Sequence, residues 1–410
     1  MNILLINQPL NNRGDESAHK AFLRNLYTKL PEANINVLFT NANNNSISQF
    51  NVQLPRITYT NISTTKGYYK IFYWGLRYNI SSLWKLHPSI RKIVALYNKA
   101  DYIICAPGGI CMGGFQNWEH LFLLKLAKIT KKPLVYYGRS FGPFPTITHK
   151  NRSFKKISLE MLNYISFLSI RDKKTEELSN QLHIPYYKTV DSAFLDNTRP
   201  IIPNEIADLI GRNKYMIFVP NLLIWHYAYK NRISKQTIIH FYRQIISMVE
   251  ELYPNLNIIM LPQTFNYENK NKGDINFFYE LTENLNDSRI IIISDQYNSD
   301  IQQSIISNAE FLIGARYHSI VFAINNSIPF IALSYEHKIS GLLTSLSKEE
   351  CIIDISRISD SCKENNKLLD NIKEKMCNLK KDTATTSKAK EIASSCFNKL
   401  IDYLISHINN

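Results

Sequence analysis

The stretch GARYHSIVFAINNSIPFIALSY, residues 314–335, decides the fold class. Together with the preceding residues it contains two short apolar runs, FLIGA (311–315) and PFIALSY (329–335), which are typical of buried strands. YHSIVFAINN (317–326) between them has the length of a short helix. A strand, a crossover helix and a second strand form the repeating unit of a parallel α/β sheet.

Two polar side chains interrupt this apolar stretch at its first bend. Arg316 and His318 stand where the C-terminal end of a strand meets the start of a helix. Ligands bind at this position in open α/β sheets, and helix N-termini favour anions there. Arg316 can bind a carboxylate or phosphate through two donors, His318 can transfer a proton near neutral pH, and Lys338 follows the next strand. The pattern favours an anion site over its structural alternative, a buried arginine–carboxylate pair beside a core histidine.

Strand-like and helix-like segments alternate along nearly the whole chain, which predicts parallel sheets with crossover helices. The segment 196–214 carries two prolines and lacks a strong period, so we place a domain boundary there. The predicted fold is α/β, with two Rossmann-like domains facing each other across a cleft in a GT-B-like architecture. Their predicted extents are 1–196 and 197–380, and a C-terminal helix within 381–410 packs back on the body. The predicted strands are 2–7, 35–40, 102–108, 133–138, 167–172, 186–190, 215–221, 257–263, 289–295, 311–315, 329–335 and 351–355.

The composition is that of an ordinary globular protein, with 45% hydrophobic and 20% charged residues among 410. No apolar run reaches the roughly 18 residues that a membrane-spanning helix needs. The start, MNILLINQPLNNRGDE, lacks a basic segment before its apolar run, so we expect a first strand and a cytoplasmic protein. The six cysteines are scattered without zinc spacing, which predicts free thiols and no structural metal.

The net charge of +14 allows two interpretations. Either the charge reflects a solvated, lysine-rich surface, or it serves to attract an anionic substrate or the negatively charged inner face of a membrane. KGYYKIFYWGLRYNISSLWKL (66–86) concentrates aromatic and basic residues. This segment either packs as a helix on the first sheet or lies at a membrane interface. The chain has no recognised nucleic-acid motif, and no nucleic-acid partner is expected.

Three further motifs follow strands in the first half. NNRGDES (11–17) follows the first strand, with Asp15 as a candidate helix N-cap and a carboxylate able to take a proton. APGGICMGGF (106–115) has paired glycines that do not match a dinucleotide fingerprint. SIRDKKTEEL (169–178) places Arg171 and Asp172 at a strand end, where a local ion pair with a helix cap is the structural alternative.

Taken together, these motifs resemble the polysaccharide pyruvyl transferase family over residues 1–345. The residues that carry the resemblance are NRGDE (12–16), the Gly-Gly loop, YGRSFGPF (137–144), SIRD (169–172), DSAFL (191–195) and GARYHSIVFAINNSIPFIALSYEHKISGLL (314–343). The sequence departs from the family pattern at Arg139 and Ser140, where a glutamine–serine pair is expected, and at Ser192, where proline is usual.

The resemblance implies an enzyme that transfers pyruvate from phosphoenolpyruvate to two hydroxyls of a sugar, giving a cyclic ketal and phosphate. It implies that Arg171 and Arg316 bind the phosphate and the carboxylate, in an order left open. Lys338 and the backbone near Tyr317 assist, and His318 protonates the methylene carbon. By position alone, Asp15 or Asp172 is the candidate base, and the candidate acceptor or cleft residues are Asn12, Gly14, Gly108, Gly109, Arg139 and Ser140.

The implied acceptor is a sugar in a cell-surface polysaccharide precursor, such as a capsule or exopolysaccharide. We expect galactose with its 4- and 6-hydroxyls as the first choice and mannose-type sugars as the second, carried on a lipid diphosphate at the inner membrane face. No cofactor is required, and a supplementary divalent metal is compatible with the site. Two alternatives stay open: a GT-B glycosyltransferase using a nucleotide sugar, and a catalytically silent member that binds within a polysaccharide assembly complex.

Overall fold

The structure is a computed structural model, and it describes residues 1–80, 82–226, 229–230, 232–265, 273–285, 287–294, 296–360 and 362–406. The chain forms two compact units. Unit 1 consists of residues 1–10, 18–196 and 391–410, and unit 2 consists of residues 11–17 and 197–390. The main division follows Asp196, but residues 11–17, which the sequence analysis assigned to the first domain, belong to unit 2.

Unit 1 is built on a parallel sheet with the strand order β3-β2-β1-β4-β6-β8-β9. A parallel two-stranded sheet, β5-β7, accompanies it. The strands are β1 (Asn2–Ile6), β2 (Asn34–Thr40), β3 (Ile57–Ile62), β4 (Tyr102–Cys105), β5 (Gly108–Gly113), β6 (Leu134–Tyr136), β7 (Arg139–Gly142), β8 (Phe167–Ile170) and β9 (Tyr187–Lys188).

Helices cover both faces of the main sheet of unit 1, so the central strands are apolar on both sides. Leu4 and Ile6 of β1 pack in one core, and Ile3 and Leu5 pack in the other. The helices are α1 (Arg13–Lys29, in unit 1 from Ala18), α2 (Asn44–Phe50), α3 (Tyr68–Tyr78), α4 (Ser82–Leu86), α5 (Pro88–Lys99), α6 (Trp118–Ile129), α7 (His149–Tyr164) and α8 (Lys173–Gln181).

Unit 2 is built on a second parallel sheet, with the order β12-β11-β10-β13-β14-β15. Its strands are β10 (Tyr215–Val219), β11 (Asn257–Met260), β12 (Ile290–Ile292), β13 (Leu312–Gly314), β14 (Phe330–Ser334) and β15 (Ile352–Asp354). Its helices are α9 (Asn204–Ile210), α10 (Lys235–Leu252), α11 (Asp274–Thr282), α12 (Ser299–Ser307), α13 (Tyr317–Asn325), α14 (His337–Ser345), α15 (Cys362–Cys377) and the first residues of α16 (Thr383–Ser406).

The last part of α16, from Glu391, belongs to unit 1. Phe397 and Leu400 are buried there against the face of the sheet that contains Ile3 and Leu5. The Tyr102 hydroxyl donates a hydrogen bond to the Leu404 carbonyl at 3.0 Å. The C-terminal helix therefore completes one of the two cores of unit 1.

Every predicted strand overlaps a strand of the structure, but three strands, β3, β5 and β7, were not predicted. β3 was not predicted, and the glycine loop at 106–115 contains β5, which pairs with β7. The proposed N-cap at Asp15 is wrong. The helix begins at Arg13, and the Asn12 side chain accepts hydrogen bonds from the backbone N–H groups of Gly14 (2.9 Å) and Asp15 (3.1 Å).

Within the described part of the chain, no helix is long and apolar enough to cross a membrane. The side chains described there include five free cysteines, two of them buried, at 105 and 396. The same residues contain no cluster of three potential metal ligands.

Candidate functional site

The segment 11–17 is anchored in unit 2 by backbone hydrogen bonds. The Arg13 N–H donates to the Gln263 carbonyl at 2.9 Å, and the Phe265 N–H donates to the Asn11 carbonyl at 3.2 Å. Asn12 and Thr264 form an antiparallel bridge. These bonds fix the start of α1 at the loop that follows β11, near the carboxyl edge of the sheet of unit 2.

Two buried charged side chains strengthen this anchorage. Glu16, which is fully buried, accepts hydrogen bonds from the Ser299 N–H and hydroxyl, each at 2.9 Å. Its other carboxylate oxygen lies 2.7 Å from Arg13 Nη1. The Arg13 guanidinium also stacks over the Phe265 ring at 3.9 Å. A buried carboxylate with this many donors is satisfied, so Glu16 holds the segment on the first turn of α12.

His318 packs directly against the segment at Gly14. A Cβ added to Gly14 would lie 1.7 Å from His318 Cγ and 1.9 Å from Nδ1. Only glycine therefore fits at this helical position while the imidazole keeps its place. His318 is 7% exposed, and the Tyr317 ring meets its imidazole edge-on, with the centroids 4.9 Å apart.

Arg316 is the N-cap residue of α13, directly before Tyr317 and His318. Its Nη2 donates to the Asp274 carboxylate and, at 3.2 Å, to the Thr264 hydroxyl. Burial opposes the charge of Arg316, but the neighbouring Asp274 carboxylate raises the pKa of the guanidinium. Both contacts use Nη2, and Nε is buried without a hydrogen-bond partner among the described residues, so Nε remains as a donor for a ligand.

Asp274 is the first residue of α11, and its carboxylate contacts several groups of this site. Its carboxylate accepts hydrogen bonds from the backbone N–H groups of Gln263 and Thr264, both at 2.9 Å, and from the Thr264 hydroxyl at 2.7 Å. The same loop, 263–265, anchors the segment 11–17. Asp274 thus fixes the guanidinium of Arg316 and the support of Gly14 together.

Lys338 lies in the first turn of α14, after the next strand. Its Nζ is 3.3 Å from the carboxylate of Glu336, which also lies 4.0 Å from His226 Nε2. Burial lowers the pKa of His226, and the Glu336 carboxylate partly offsets this effect. Lys338 is 35% exposed, so its ammonium contacts both Glu336 and solvent.

In unit 1, the predicted residues Arg171 and Asp172 have partners of their own. Arg171 forms a buried ion pair with Asp191. Asp172 is the N-cap of α8: one carboxylate oxygen accepts from the Thr175 N–H at 2.9 Å and the other from its hydroxyl at 2.7 Å. The role of Arg171 in phosphoenolpyruvate binding stays a prediction, and both Asp172 oxygens are engaged in capping.

Arg139, a predicted cleft residue, is buried and joins the ends of strands in unit 1. Its guanidinium donates to the carbonyls of Asn7 (2.6 Å), Ala106 and Gly109 (3.3 Å). A Cβ on Gly108 would lie 2.8 Å from Arg139 Nη2, so the absence of a side chain at Gly108 leaves space for the guanidinium. Arg139 therefore holds the loops after β1 and β4 in place through hydrogen bonds to their carbonyl groups.

A cavity of about 230 Å³ opens beside Arg139 in unit 1. It lies at the carboxyl ends of β1 and β2, and its polar lining side chains include Asn7, Gln8, Thr40, Asn117, Glu119, His120 and Arg139. Gly109 and Ser140 lie beside this lining, in the paired strands β5 and β7; a Cβ on Gly109 would meet no atom within 4 Å, and Ser140 is 4% exposed. Amides and a carboxylate in one concave site suit the hydroxyls of a sugar.

Three residues of the site around His318 were not predicted from the sequence: Asp274, Thr264 and Glu16. Asp274 had a usable signal, since it is an acidic residue after a glycine at the start of an apolar periodic segment. Its pairing with Arg316 spans 42 residues and is invisible in the sequence. Glu16 stood inside a quoted motif, but only the structure reveals its partner, Ser299.

The model of the polysaccharide pyruvyl transferase family matches residues 12–337. The chain belongs to this family. The resemblance drawn from the sequence motifs is thereby confirmed. The matched range includes the segment 12–17 and ends beside Lys338, so it contains both Gly14 and His318.

The chain is also similar to the amylovoran biosynthesis protein AmsJ of Erwinia amylovora. The two are 23% identical over 272 residues, which cover 64% of this chain and 63% of AmsJ. The alignment therefore spans less than two thirds of that relative.

Solved structures of other enzymes share the fold. A UDP-N-acetylglucosamine 2-epimerase described as putative, from Listeria monocytogenes, has a TM-score of 0.61 at 10% identity, covering 100% of this chain and 96% of its own. The UDP-GlcNAc 2-epimerase of Neisseria meningitidis, bound to UDP-GlcNAc, has a TM-score of 0.58 at 12% identity, covering 97% and 100%. At such low identity the similarity concerns the fold alone, and it confirms the predicted class, two Rossmann-like domains of the GT-B type.

Proposed function

We propose that this protein transfers pyruvate from phosphoenolpyruvate to two hydroxyls of a sugar in a cell-surface polysaccharide precursor. The products are a cyclic ketal and inorganic phosphate. Membership of the polysaccharide pyruvyl transferase family supports the reaction class. The observation that carries the proposal is the packing of His318 against Gly14, beside Arg316 at the N-terminus of α13.

The donor is bound through its negative groups in unit 2. Arg316, whose guanidinium is oriented by Asp274, contacts one anionic group of phosphoenolpyruvate with its remaining donors. The N-terminus of α13, which begins at Tyr317, favours the same anion through the positive end of the helix dipole. Lys338 adds a point charge. These residues need no metal to neutralise the phosphate, although a divalent ion is compatible with them.

His318 is the general acid. It donates a proton to the methylene carbon of phosphoenolpyruvate, which leaves an oxocarbenium-like centre at C2. One sugar hydroxyl adds to C2 and gives its proton to the base. The second hydroxyl then displaces phosphate and closes the ketal, and its proton leaves on the phosphate. The pair of new C–O bonds replaces the C=C π bond and the C–O bond to phosphate, so atoms and charge balance.

Asp15 is the better candidate for the base. It follows Gly14 in the first turn of α1, and its Oδ1 is buried without a hydrogen-bond partner among the described residues. Asp172 uses both oxygens to cap α8. A carboxylate with an uncommitted oxygen can accept the proton of the attacking hydroxyl.

The acceptor that we propose is galactose, which reacts at its 4- and 6-hydroxyls. It is carried on a lipid diphosphate at the inner membrane face. The cavity beside Arg139 in unit 1 supports a sugar subsite, because its amides and Glu119 match hydroxyl groups in hydrogen-bonding character.

The test combines the purified protein, phosphoenolpyruvate and a panel of galactosides, including one linked to a lipid diphosphate. We expect phosphate release together with a product that has gained the mass of a pyruvate ketal. His318→Gln should lower the turnover rate by roughly 10²- to 10⁴-fold, the range for loss of a general acid. His240→Gln is the matched control, because His240 is exposed on α10 of the same unit.

Three other outcomes would contradict parts of this proposal. If no acceptor yields phosphate or ketal, the reaction class is wrong, and turnover of a nucleotide sugar would then identify a glycosyltransferase. If phosphoenolpyruvate and acceptor bind without turnover, the protein is a silent binding member. Full activity of His318→Gln would refute the acid role alone.

A further inference from the structure

Acidic residues are absent from two long stretches of unit 1. No Asp or Glu stands between Glu32 and Asp101, a span that contains eight Lys and Arg residues. None stands between Glu119 and Glu160, where nine occur. The formal charge of +14 is therefore not spread evenly. These two stretches include α3 and α7, which contact each other in the structure.

Helix α3 buries one face and exposes aromatic rings on the other. Its buried residues are Tyr68, Phe72, Gly75 and Leu76. Tyr69, Trp74 and Tyr78 are 53%, 41% and 57% exposed. Trp74 stacks on Tyr78, with ring centroids 5.3 Å apart, and the rings of Tyr69 and Tyr73 stack at 5.8 Å. Large aromatic rings held in solvent in this way, on a helix with an intact buried face, form an interaction surface.

Helix α7 adds cations directly beside these rings. Lys150 Nζ lies 5.5 Å from the centroid of the Tyr73 ring. The Arg77 guanidinium lies 5.7 Å from both the Trp74 and Tyr78 rings and hydrogen-bonds to His149 at 3.3 Å. We use the name α3–α7 face for eight exposed residues on or next to the two helices: Tyr69, Lys70, Trp74, Tyr78, Ile147, Lys150, Arg152 and Lys156.

A cavity of about 420 Å³ lies between the same helices and α6. The charged side chains of its lining are Arg77, Lys125, Arg152, Lys156 and Glu160, and His149 lines it as well. The carboxylate of Glu160 is already bound by Lys125 and by Lys128, the latter at 2.8 Å. The cavity thus presents cations to a phosphate group, next to exposed rings.

We propose that the α3–α7 face binds the surface of a membrane leaflet that contains anionic phospholipids. Trp74, Tyr69 and Tyr78 insert at the level of the headgroups, where amphipathic rings are favoured. Ile147, which is 88% exposed, enters more deeply. Lys70, Lys150 and the cations of the cavity contact lipid phosphates. The proposal concerns location and does not depend on the reaction proposed above.

The aliphatic side chains distinguish a membrane from a nucleic acid as the partner. Aromatic and basic residues suit both, because bases stack on rings and phosphates bind cations. Exposed aliphatic residues flank the rings, with Ile80 at 41%, Leu86 at 72% and Ile147 at 88%. They gain nothing from stacking or hydrogen bonding, but they gain free energy on entering an acyl boundary.

The experiment measures sedimentation of the full chain with vesicles, either of phosphatidylcholine alone or mixed in equal parts with phosphatidylglycerol. We expect binding to the mixed vesicles only, and weaker binding as salt rises. Lys70→Gln/Lys150→Gln/Lys156→Gln should lower affinity roughly fivefold per charge, on the order of a hundredfold together. Trp74→Ser/Ile147→Ser should lower affinity at constant charge.

Matched controls lie in unit 2. Lys363→Gln/Lys367→Gln/Lys380→Gln removes the same charge from exposed positions. Ile201→Ser/Tyr279→Ser removes apolar side chains that are 91% and 58% exposed. The proposal would be overturned if the control variants lost as much vesicle affinity, or if binding were the same with and without phosphatidylglycerol. Loss of binding to single-stranded RNA, with vesicle binding unchanged, would instead assign the face to nucleic acid.

Discussion

At the scale of the residue, Gly14 in the backbone of α1 determines how much space the imidazole of His318 has. A Cβ there would overlap the imidazole at 1.7 Å, and a side-chain ring can avoid it only by moving away. The position is helical, so alanine would otherwise be favoured by about 1 kcal/mol over glycine. Any loss of activity in Gly14→Ala therefore reports displacement of His318, not unfolding of the helix.

Our prediction for Gly14→Ala is a loss of at least about tenfold in turnover, since a displaced general acid contributes less to catalysis. Thermal unfolding should not be lowered in proportion. Gly341→Ala is the matched control, because Gly341 lies within α14 and an added Cβ there meets no atom within 4 Å. Steady-state kinetics and calorimetry check both variants. Wild-type turnover in Gly14→Ala would contradict the positioning of His318 by Gly14.

Residue types could be predicted from the sequence at this site, but their partners could not. Arg316 and His318 stood out because they are polar residues at the bend of an apolar stretch. Asp274 was invisible as the partner of Arg316, because a contact across 42 residues depends on tertiary packing. Asp15 was assigned the capping role of Asn12, because either side chain can accept the same backbone hydrogen bonds.

At the scale of the element, the segment 11–17 is the part of unit 2 most distant in sequence from its partners. Glu16 fastens it to α12 through Ser299 and, together with Arg13, forms a fully buried ion pair. Glu16→Gln removes the charge but keeps the shape. Breaking a buried ion pair of this kind costs about 3–5 kcal/mol, because the partner charge stays buried.

We therefore expect Glu16→Gln to accelerate hydrogen exchange in two places, residues 11–17 and the first turn of α12. Exchange mass spectrometry of both peptides is the measurement. Glu205→Gln, at an acidic residue in the first turn of α9, is the control and should leave both peptides unchanged. Slow exchange in 11–17 after Glu16→Gln would mean that the backbone bonds to Gln263 and Phe265 alone hold the segment.

The inner strands of unit 2, β10, β11, β13 and β14, were predictable because they are short, mostly apolar runs that are buried on both faces. β3, ITYTNI, was not, since its alternating polar residues suit an edge strand as well as a loop. β5 was hidden by its glycines, which weaken every strand signal. It forms because β7 pairs with it, and no local pattern records that pairing.

At the scale of the whole molecule, the division into units could be predicted only in part. The proline-containing stretch after Asp196 marks the main division, because helices and strands both stop there. The membership of 11–17 in unit 2 follows from single contacts, such as the Arg13 N–H to the Gln263 carbonyl. Hydrophobic periodicity does not encode contacts of this kind.

Stability of the whole chain should depend on pH through buried histidines of unit 1. Burial, reinforced by Lys20 and then Arg139, lowers the pKa of His19 to about 3. Burial, with Arg139 nearby, also lowers the pKa of His120 well below its ordinary value. The unfolded chain protonates both side chains near pH 6.5, whereas the folded chain does not.

The unfolded state therefore binds more protons below about pH 6.5. As the pH is lowered below this value, the free energy of unfolding decreases by up to about 1.4 kcal/mol per pH unit for each histidine. Urea unfolding at about pH 7.5 and about pH 5 measures this difference. His19→Gln/His120→Gln should reduce the pH dependence, while His183→Gln/His240→Gln, at exposed histidines, should retain it. Since buried neutral imidazoles are the cause, an unchanged slope in the first double variant would assign the dependence to other groups.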